Sequence, residues 1–550
     1  MNRINIYFIC FFSLIITKSS FADKYPRDYS IAIKNYSFFI TLTDKSDEII
    51  GKTELTILFK KDGTNKLILD LVNKNEAKNG KGMTVDSVTM DDKNVIFTHA
   101  NDQLQIAFKQ PSKAGEKAIF TVNYHGIPID GLKIGPTKFG ARSFFSENWP
   151  NKTRHWLPTI DHPYYKATSE FIITAPAHYK VISNGLLMEE SNLDANTKLT
   201  HWKQSVPVSC WLFVLGVADF AVKYDGEFNG KSIQTWVYPQ NREAGFYDFS
   251  EVPKSVVEFF SNYIGPYQYE KIANIQSPSI SGGMETSSAI FYAENLITGK
   301  REIRLRNVII HELAHQWFGN AVTESTWDDA WLSEGFATFF TLFYIENKYG
   351  HEEYEKGLIS ARKTVYDLAE KKPGFSIVDD RSAESGPVTS GITYQKGAWV
   401  LHMLRNKMGD KNFKKGIRSY YSHFMNSNAT TNDFRKEMEK ASGINLNIFF
   451  NQWLYHSGNP FLKGNWAYNK NKKQIKIHLE QSQDSIMIFD LPVEIGIYIK
   501  GKDLPKIVKL NMNLKIKNQI ISLNEIPERI TLDPRTVLLA KTEFEEINKK

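Results

Sequence analysis

The stretch His311–Asn320, "HELAHQWFGN", decides how this chain is read. His311 and His315 stand four residues apart. On a helix, positions i and i+4 lie on one face, one turn apart, so both imidazoles reach the same point. The flanks agree, since "RLRNVII" and "WFG" supply an apolar helix with a glycine stop. Neutral imidazole suits Zn2+, and a catalytic zinc keeps one position open for water. Glu312 lies between the two histidines and points at that water as general base.

A third protein ligand is required, and "DDAWLSEGFATFF", from Asp328, supplies it. The acid pair reads as a helix start, followed by an apolar helix. Glu334 sits there among Trp331, Leu332 and Phe336. A carboxylate on such a face is costly unless it is paired or metal-bound. His311, His315 and Glu334 thus form a His2Glu set for one zinc ion per chain. Asp329 is a candidate to orient one of the histidines from behind.

Around this centre the chain divides by pattern. Residues 23–222 read as all-β, with alternating or β-branched runs such as "YSFFITLTD" and "KAIFTVNYHG". From 223 the pattern changes, and between Val252 and Tyr455 helical runs dominate, several of them ending at glycine. Residues 456–550 return to short strands. The order β, helical, β predicts three domains, 23–222, 223–455 and 456–550, with the chemistry in the middle one.

The 550 residues are 42% hydrophobic and 23% charged, which is ordinary for a globular protein. The net charge of +7 is scattered over polar loops, without a basic stripe interleaved with aromatics, so a nucleic-acid role is excluded. Residues 1–22 read as a secretory leader: Arg3, an apolar run Ile4–Ile16, then small residues in "SFA", with cleavage expected after Ala22. No later run is long enough to span a bilayer, so the mature chain is expected to have no stable membrane span. Cys10 and Cys210 are the two cysteines. With the leader removed no internal disulfide can form, which fits export to a bacterial periplasm or the medium. Cys210, in "SVPVSCWLFVLG", reads as a buried core thiol.

"SGGMET", Ser281–Thr286, sets one carboxylate behind two glycines with no helical pattern. Glycines there let a backbone come close to something. Taken with the zinc motif, the chain resembles the gluzincins of the aminopeptidase N and leukotriene hydrolase family. His-Glu-x-x-His, eighteen residues and then Glu334 within "WLSEGFAT" is that family's pattern, with Ser333 where Asn is usual. "SGGMET" resembles its Gly-x-Met-Glu-Asn exopeptidase motif, with Thr286 in place of Asn. "TYQKGAWVLHML" from Thr393, "FFNQWLYHSGNP" from Phe449 and "RHWLPTIDHP" from Arg154 resemble further family segments.

The resemblance implies an N-terminal β-sheet saddle, a thermolysin-like catalytic domain and a small C-terminal β-sandwich. Residues 456–550 are too few for a further large helical domain as well, so a more open cleft that admits longer peptides is expected. It implies a zinc-dependent aminopeptidase acting on peptides with a free N-terminus, and a monomer is expected. Glu312 would be the base and Tyr394 the donor to the oxyanion. Glu285, helped by Glu334, would hold the substrate's ammonium group. Gly282, Gly283 and Met284 would run beside the substrate as an extra strand. An N-terminal-domain residue before Arg154 completes the amino clamp in the family. Here Glu147 and Asn148 are the candidates, because gapless matching lands on Trp149, which cannot accept from an ammonium. An endopeptidase would share the zinc residues but has no use for Glu285. An epoxide hydrolase would need Asp and Tyr where Gly386 and Thr389 stand.

Overall fold

The structure, a computed structural model, describes residues 25–371, 374–378, 388–483 and 487–547. The leader reading of residues 1–22, with Cys10, and the position of Gly386 lie outside the described residues.

Alternation builds the N-terminal part. Strand Ile31–Thr41 buries Ile31, Ile33, Tyr36, Phe38 and Ile40 and turns the intervening residues outward. It is one member of an eight-stranded sheet, parallel to Lys166–Pro176 and antiparallel to Ile49–Phe59. A four-stranded sheet follows the order Lys180–Ser183, Leu215–Ala218, Arg142–Ser146, Leu132–Pro136. Its strand Arg142–Ser146 leads directly into Glu147. Cys210 is buried, as its apolar context requires, with Sγ 3.2 Å from Asp161 Oδ1.

Interleaved with the first helices comes a five-stranded sheet that periodicity did not announce. Its order is Ala221–Phe228, Lys231–Val237, Lys271–Ser277, Ala289–Ala293, Gly283–Met284. Lys271–Ser277 is buried at every position and has parallel neighbours on both sides. A strand covered on both faces shows no alternation, which is why its sequence reads ambiguously. The short strand Gly283–Met284 pairs antiparallel with Phe291–Tyr292 and forms the sheet's edge.

Helix Ile303–His315 packs on the edge strand of this sheet and on helix Trp331–Tyr349. Trp331–Tyr349 buries almost its whole first three turns, so it is a core helix and not an amphipathic one. Helix Gly391–Met408 crosses it at a glycine pair. A Cβ on Gly335 would meet the Gly397 Cα at 3.0 Å, and one on Gly397 would meet the Gly335 Cα at 2.8 Å. Only two glycines allow that approach. It carries Tyr394, one turn before Gly397, onto Glu334, the neighbour of Gly335. The first turn of this helix is fixed by a capping box, with Ser390 N donating to Thr393 Oγ1 at 3.1 Å.

Two sheets complete the chain, one of four strands (Ile516–Ser522, Gln474–Gln481, Phe461–Asn469, Lys541–Glu546) and one of three (Lys506–Met512, Leu491–Ile499, Pro527–Leu532). Among the described residues, no helix is long and apolar enough to cross a membrane.

Candidate active site

Helices Ile303–His315 and Trp331–Tyr349 bring the three sequence-read ligands together. Glu334 Oε2 lies 3.3 Å from His311 Nε2 and 3.2 Å from His315 Nε2, and the two Nε2 atoms are 3.0 Å apart. Burial works to lower the His315 pKa, but Glu285 and Glu334 overcome it and lift it to about 10. Burial alone would raise the Glu334 pKa. His315 and His311 reverse this and hold its carboxyl well below the usual range. A pocket whose field so favours positive charge suits a divalent cation. Two imidazoles and a carboxylate converging on one point are the donor set of a zinc site, so the residues present fit that ion.

The orientation of His315 corrects the sequence reading. Its Nδ1 lies 3.2 Å from the Phe318 carbonyl and 3.0 Å from Ser333 Oγ. Asp329 does not orient it. That carboxylate accepts from Thr431 Oγ1 at 2.6 Å, and Trp331 Nε1 donates to the same hydroxyl at 2.8 Å. Asp329 therefore fixes the start of the helix that bears Glu334, while Ser333 holds the histidine. The Ser333 signal was visible, since it stands where the resembled family has another polar residue. What it touches was not.

Glu312 is buried, and burial together with Glu285 pushes its pKa well above the ordinary carboxylate value. Its side chain lies against Gly283. A Cβ there would meet Glu312 Oε1 at 2.1 Å and Cδ at 2.3 Å, whereas a Cβ on Gly282 would meet nothing within 4 Å. The two glycines thus differ. Gly282 leaves open space in the cleft, and Gly283 makes room for Glu312. Met284 is buried and lines the cleft floor.

Glu285 is buried, and its Oε1 has no hydrogen-bond partner among the described residues. That oxygen lies 4.0 Å from His315 Nδ1. Burial, with Glu334 adding and His315 opposing, raises its pKa to about 6. Its main-chain carbonyl accepts from Gln316 Nε2 at 2.9 Å and from Asn320 Nδ2 at 2.6 Å. Thr286 closes the same turn, donating from Oγ1 to the Ala289 carbonyl. Tyr394 donates its phenol to Glu334 Oε1 at 2.7 Å and stacks near His311, with ring centroids 6.0 Å apart. Burial and Glu334 push its pKa far up, so the hydroxyl keeps its proton and remains a donor.

A cleft of about 670 Å³ connects these groups, and the N-terminal part contributes Lys133, Glu147 and Trp149 to its wall. The structure separates the two clamp candidates. Asn148 is fully buried, with Nδ2 donating to the Phe213 carbonyl at 2.8 Å and Oδ1 accepting from Trp156 Nε1 at 2.9 Å. Glu147 faces the cleft and is bridged by Lys152. Trp149 packs edge-on against Trp211 and Trp327. Arg154 does not reach the cleft lining; it binds Asp161 within the N-terminal core, Nε to Oδ2 at 2.9 Å.

Comparison with known families bears on this geometry. The Peptidase family M1 domain model matches residues 247–453, and the Peptidase M1 N-terminal domain model matches residues 32–212. The chain belongs to peptidase family M1. Both matched regions of this M1 chain contribute to the cleft. Glutamyl aminopeptidase of Rattus norvegicus is 30% identical over 346 residues, which are 60% of this chain and 36% of that protein. Aminopeptidase A of Gloydius brevicauda is 33% identical over 352 residues, 60% of this chain and 35% of the relative. Probable aminopeptidase 1 of Sulfurisphaera tokodaii is 28% identical over 515 residues, 90% of this chain and 62% of the relative. The chain thus spans less than two thirds of the length of these relatives.

Proposed function

We propose that this M1 chain is a zinc-dependent aminopeptidase that removes the N-terminal residue of peptides. The observation that carries the reading is Glu285, a buried carboxylate with an unpartnered oxygen beside the His311–His315–Glu334 set. A buried carboxylate oxygen without a hydrogen bond is costly, and a substrate ammonium is a donor that would satisfy it. The names of the similar proteins support the same activity.

His311, His315 and Glu334 would hold one zinc ion. When bound, it supplies Lewis acidity to the scissile carbonyl and to water. Glu312, with its raised pKa, takes a proton from the attacking water and delivers it to the leaving amine. Tyr394 turns its hydroxyl from Glu334 to the carbonyl oxygen as negative charge develops there. Glu285, with Glu334, holds the ammonium, and Glu147, which lines the same cleft, completes the clamp. The free edge of Gly283–Met284, with Gly282 beside it, accepts the substrate backbone as a further strand.

In the same reading, the N-terminal sheets are the family saddle (23–222), the middle is a thermolysin-like unit (223–455) and the last two sheets form a β-sandwich (456–550). The chain acts as a monomer and is exported after cleavage near Ala22, to a bacterial periplasm or the medium; N-terminal sequencing of the exported protein tests the cleavage site.

The experiment is a panel of aminoacyl-anilides with and without a zinc chelator, beside the same peptides with acetylated N-termini. The expected result is turnover of free amines alone, abolished by chelation. Equal cleavage of acetylated peptides would point to an endopeptidase. The Glu285→Ala variant is expected to lose most of its activity on free amines through KM.

A further inference from the structure

An aminopeptidase of the kind proposed above must keep a fixed distance between its amine anchor and its zinc residues, because that distance sets how many residues are removed. The anchor, Glu285, sits on a tight turn, and the turn is fastened from two sides. From the zinc side, Gln316 and Asn320 hold the Glu285 carbonyl, at 2.9 and 2.6 Å. Gln316 Oε1 also accepts from Ser288 N at 3.2 Å. These two residues follow His315 in the chain, so they move with the ligand histidine.

The other side belongs to the N-terminal part. Asn184 is 1% exposed and lies in the bend after strand Lys180–Ser183. Its Nδ2 donates to the Ser287 carbonyl at 2.7 Å and to the Leu212 carbonyl at 3.0 Å. Its Oδ1 accepts from Val214 N at 2.8 Å. The next residue, Gly185, donates its N–H to Ser288 Oγ at 2.8 Å. Position 185 must be glycine, since its φ is +77° and a Cβ would lie 1.8 Å from the Lys203 carbonyl.

Lys271 closes the arrangement from the five-stranded sheet. Its buried Nζ donates to the carbonyls of the residues on either side of Asn184, Ser183 O and Gly185 O, each at 2.6 Å. It also lies over the Trp202 ring, 4.5 Å from the centroid. One lysine thus ties down the residues on both sides of Asn184, whose amide bonds Leu212, Val214 and Ser287 together. Thr286, by contrast, donates its hydroxyl within its own turn, to the Ala289 carbonyl.

We propose that Asn184, held by Lys271, is a positioning residue that sets the exopeptidase register from the N-terminal part of the chain. It touches no substrate. It acts through Ser287 and Ser288 on Glu285, so loosening it widens the range of distances between the ammonium anchor and the zinc residues. This inference rests on the aminopeptidase reading.

The test compares the wild type with Asn184→Ala and with Ser288→Gly. The second variant removes the Oγ acceptor while suiting the left-handed backbone at that position, φ 63°. Kinetics on leucyl-anilide, zinc content, and mass spectrometry of the products from a decapeptide with a free N-terminus are measured. A lost buried hydrogen bond predicts about a tenfold rise in KM with kcat within about threefold of wild type. Zinc stays at one per chain, and dipeptides appear beside single amino acids in the product. A merely structural role would lower the melting temperature without releasing dipeptides. Unchanged KM with single residues as the only product overturns the proposal; if Asn184→Ala does not fold, Ser288→Gly decides it alone. Absence of wild-type turnover across the whole panel of aminoacyl-anilides would instead overturn the aminopeptidase reading, and this inference with it.

Discussion

Replacing Gly283 by alanine adds one methyl group in the one place where Glu312 leaves no room. The new Cβ would lie 2.1 Å from Glu312 Oε1, 2.3 Å from Cδ and 2.4 Å from Cγ. Ordinary contact begins near 3.4 Å, so the carboxylate must retreat by about 1.3 Å. The fold tolerates this. Gly283 is not among the residues with left-handed backbone, and the obstacle is the far end of a flexible side chain. Catalysis does not tolerate it, because a misplacement of about 1 Å costs on the order of 10²-fold in rate, or about 2.7 kcal/mol. The expected outcome for Gly283→Ala is a fall in kcat of about 10²-fold on an aminoacyl-anilide, with zinc content and melting temperature close to wild type. Gly282→Ala, whose Cβ meets no protein atom within 4 Å, leaves Glu312 in place, so its effect should fall on KM through the substrate backbone and not on kcat as for Gly283→Ala. A Gly283→Ala enzyme with kcat within about threefold of wild type would refute the reasoning, and with it the claim that Glu312 works from the position seen here.

Three further outcomes are expected. Tyr394→Phe removes a phenol that now rests on Glu334, and kcat should fall by about 10²–10³-fold with KM little changed, read from steady-state kinetics. Ser333→Ala takes one of two partners from His315 Nδ1; the Phe318 carbonyl remains, so zinc affinity should fall by about tenfold in a chelator competition. His402 tests a pH effect far from the cleft. Its Nε2–H donates to the Thr536 carbonyl at 2.9 Å and its Nδ1 accepts from the Tyr354 hydroxyl at 2.7 Å, so the fold holds the neutral ring. Burial lowers its pKa from 6.5 to about 4. Between those values the unfolded chain binds the proton and the folded chain does not. Its contribution is therefore complete above pH 6.5 and is lost as pH falls to about 4, by about 3 kcal/mol. Denaturant melts across that range should show the slope, and His402→Gln should flatten it.

The parts of the site that could be read from the chain are those set by local geometry. The i and i+4 spacing of His311 and His315 survives any tertiary context, because a helix places them on one face wherever it packs. The apolar neighbours of Glu334 made its carboxylate conspicuous for a similar reason: an unpaired charge on a buried face has no cheap alternative. Alternation likewise exposed strand Ile31–Thr41. It could not expose Lys271–Ser277, whose two faces are both covered.

What needed the tertiary structure was every distance between residues far apart in the chain. Gly283 looked like a site for close substrate approach, and its missing side chain turns out to house Glu312, which is 29 residues later. Asp329 looked like the partner of a ligand histidine, yet Ser333 is that partner. Glu147 and Asn148 are neighbours of equal promise in the text, and only the direction of a strand end sends one to the cleft and the other into the core. The physical reason is common to all three. Sequence spacing determines which side chains share a helix face or a sheet face, over a few residues. Which faces then meet depends on packing, such as the Gly335–Gly397 crossing that lays Tyr394 on Glu334, and packing is a property of the whole chain.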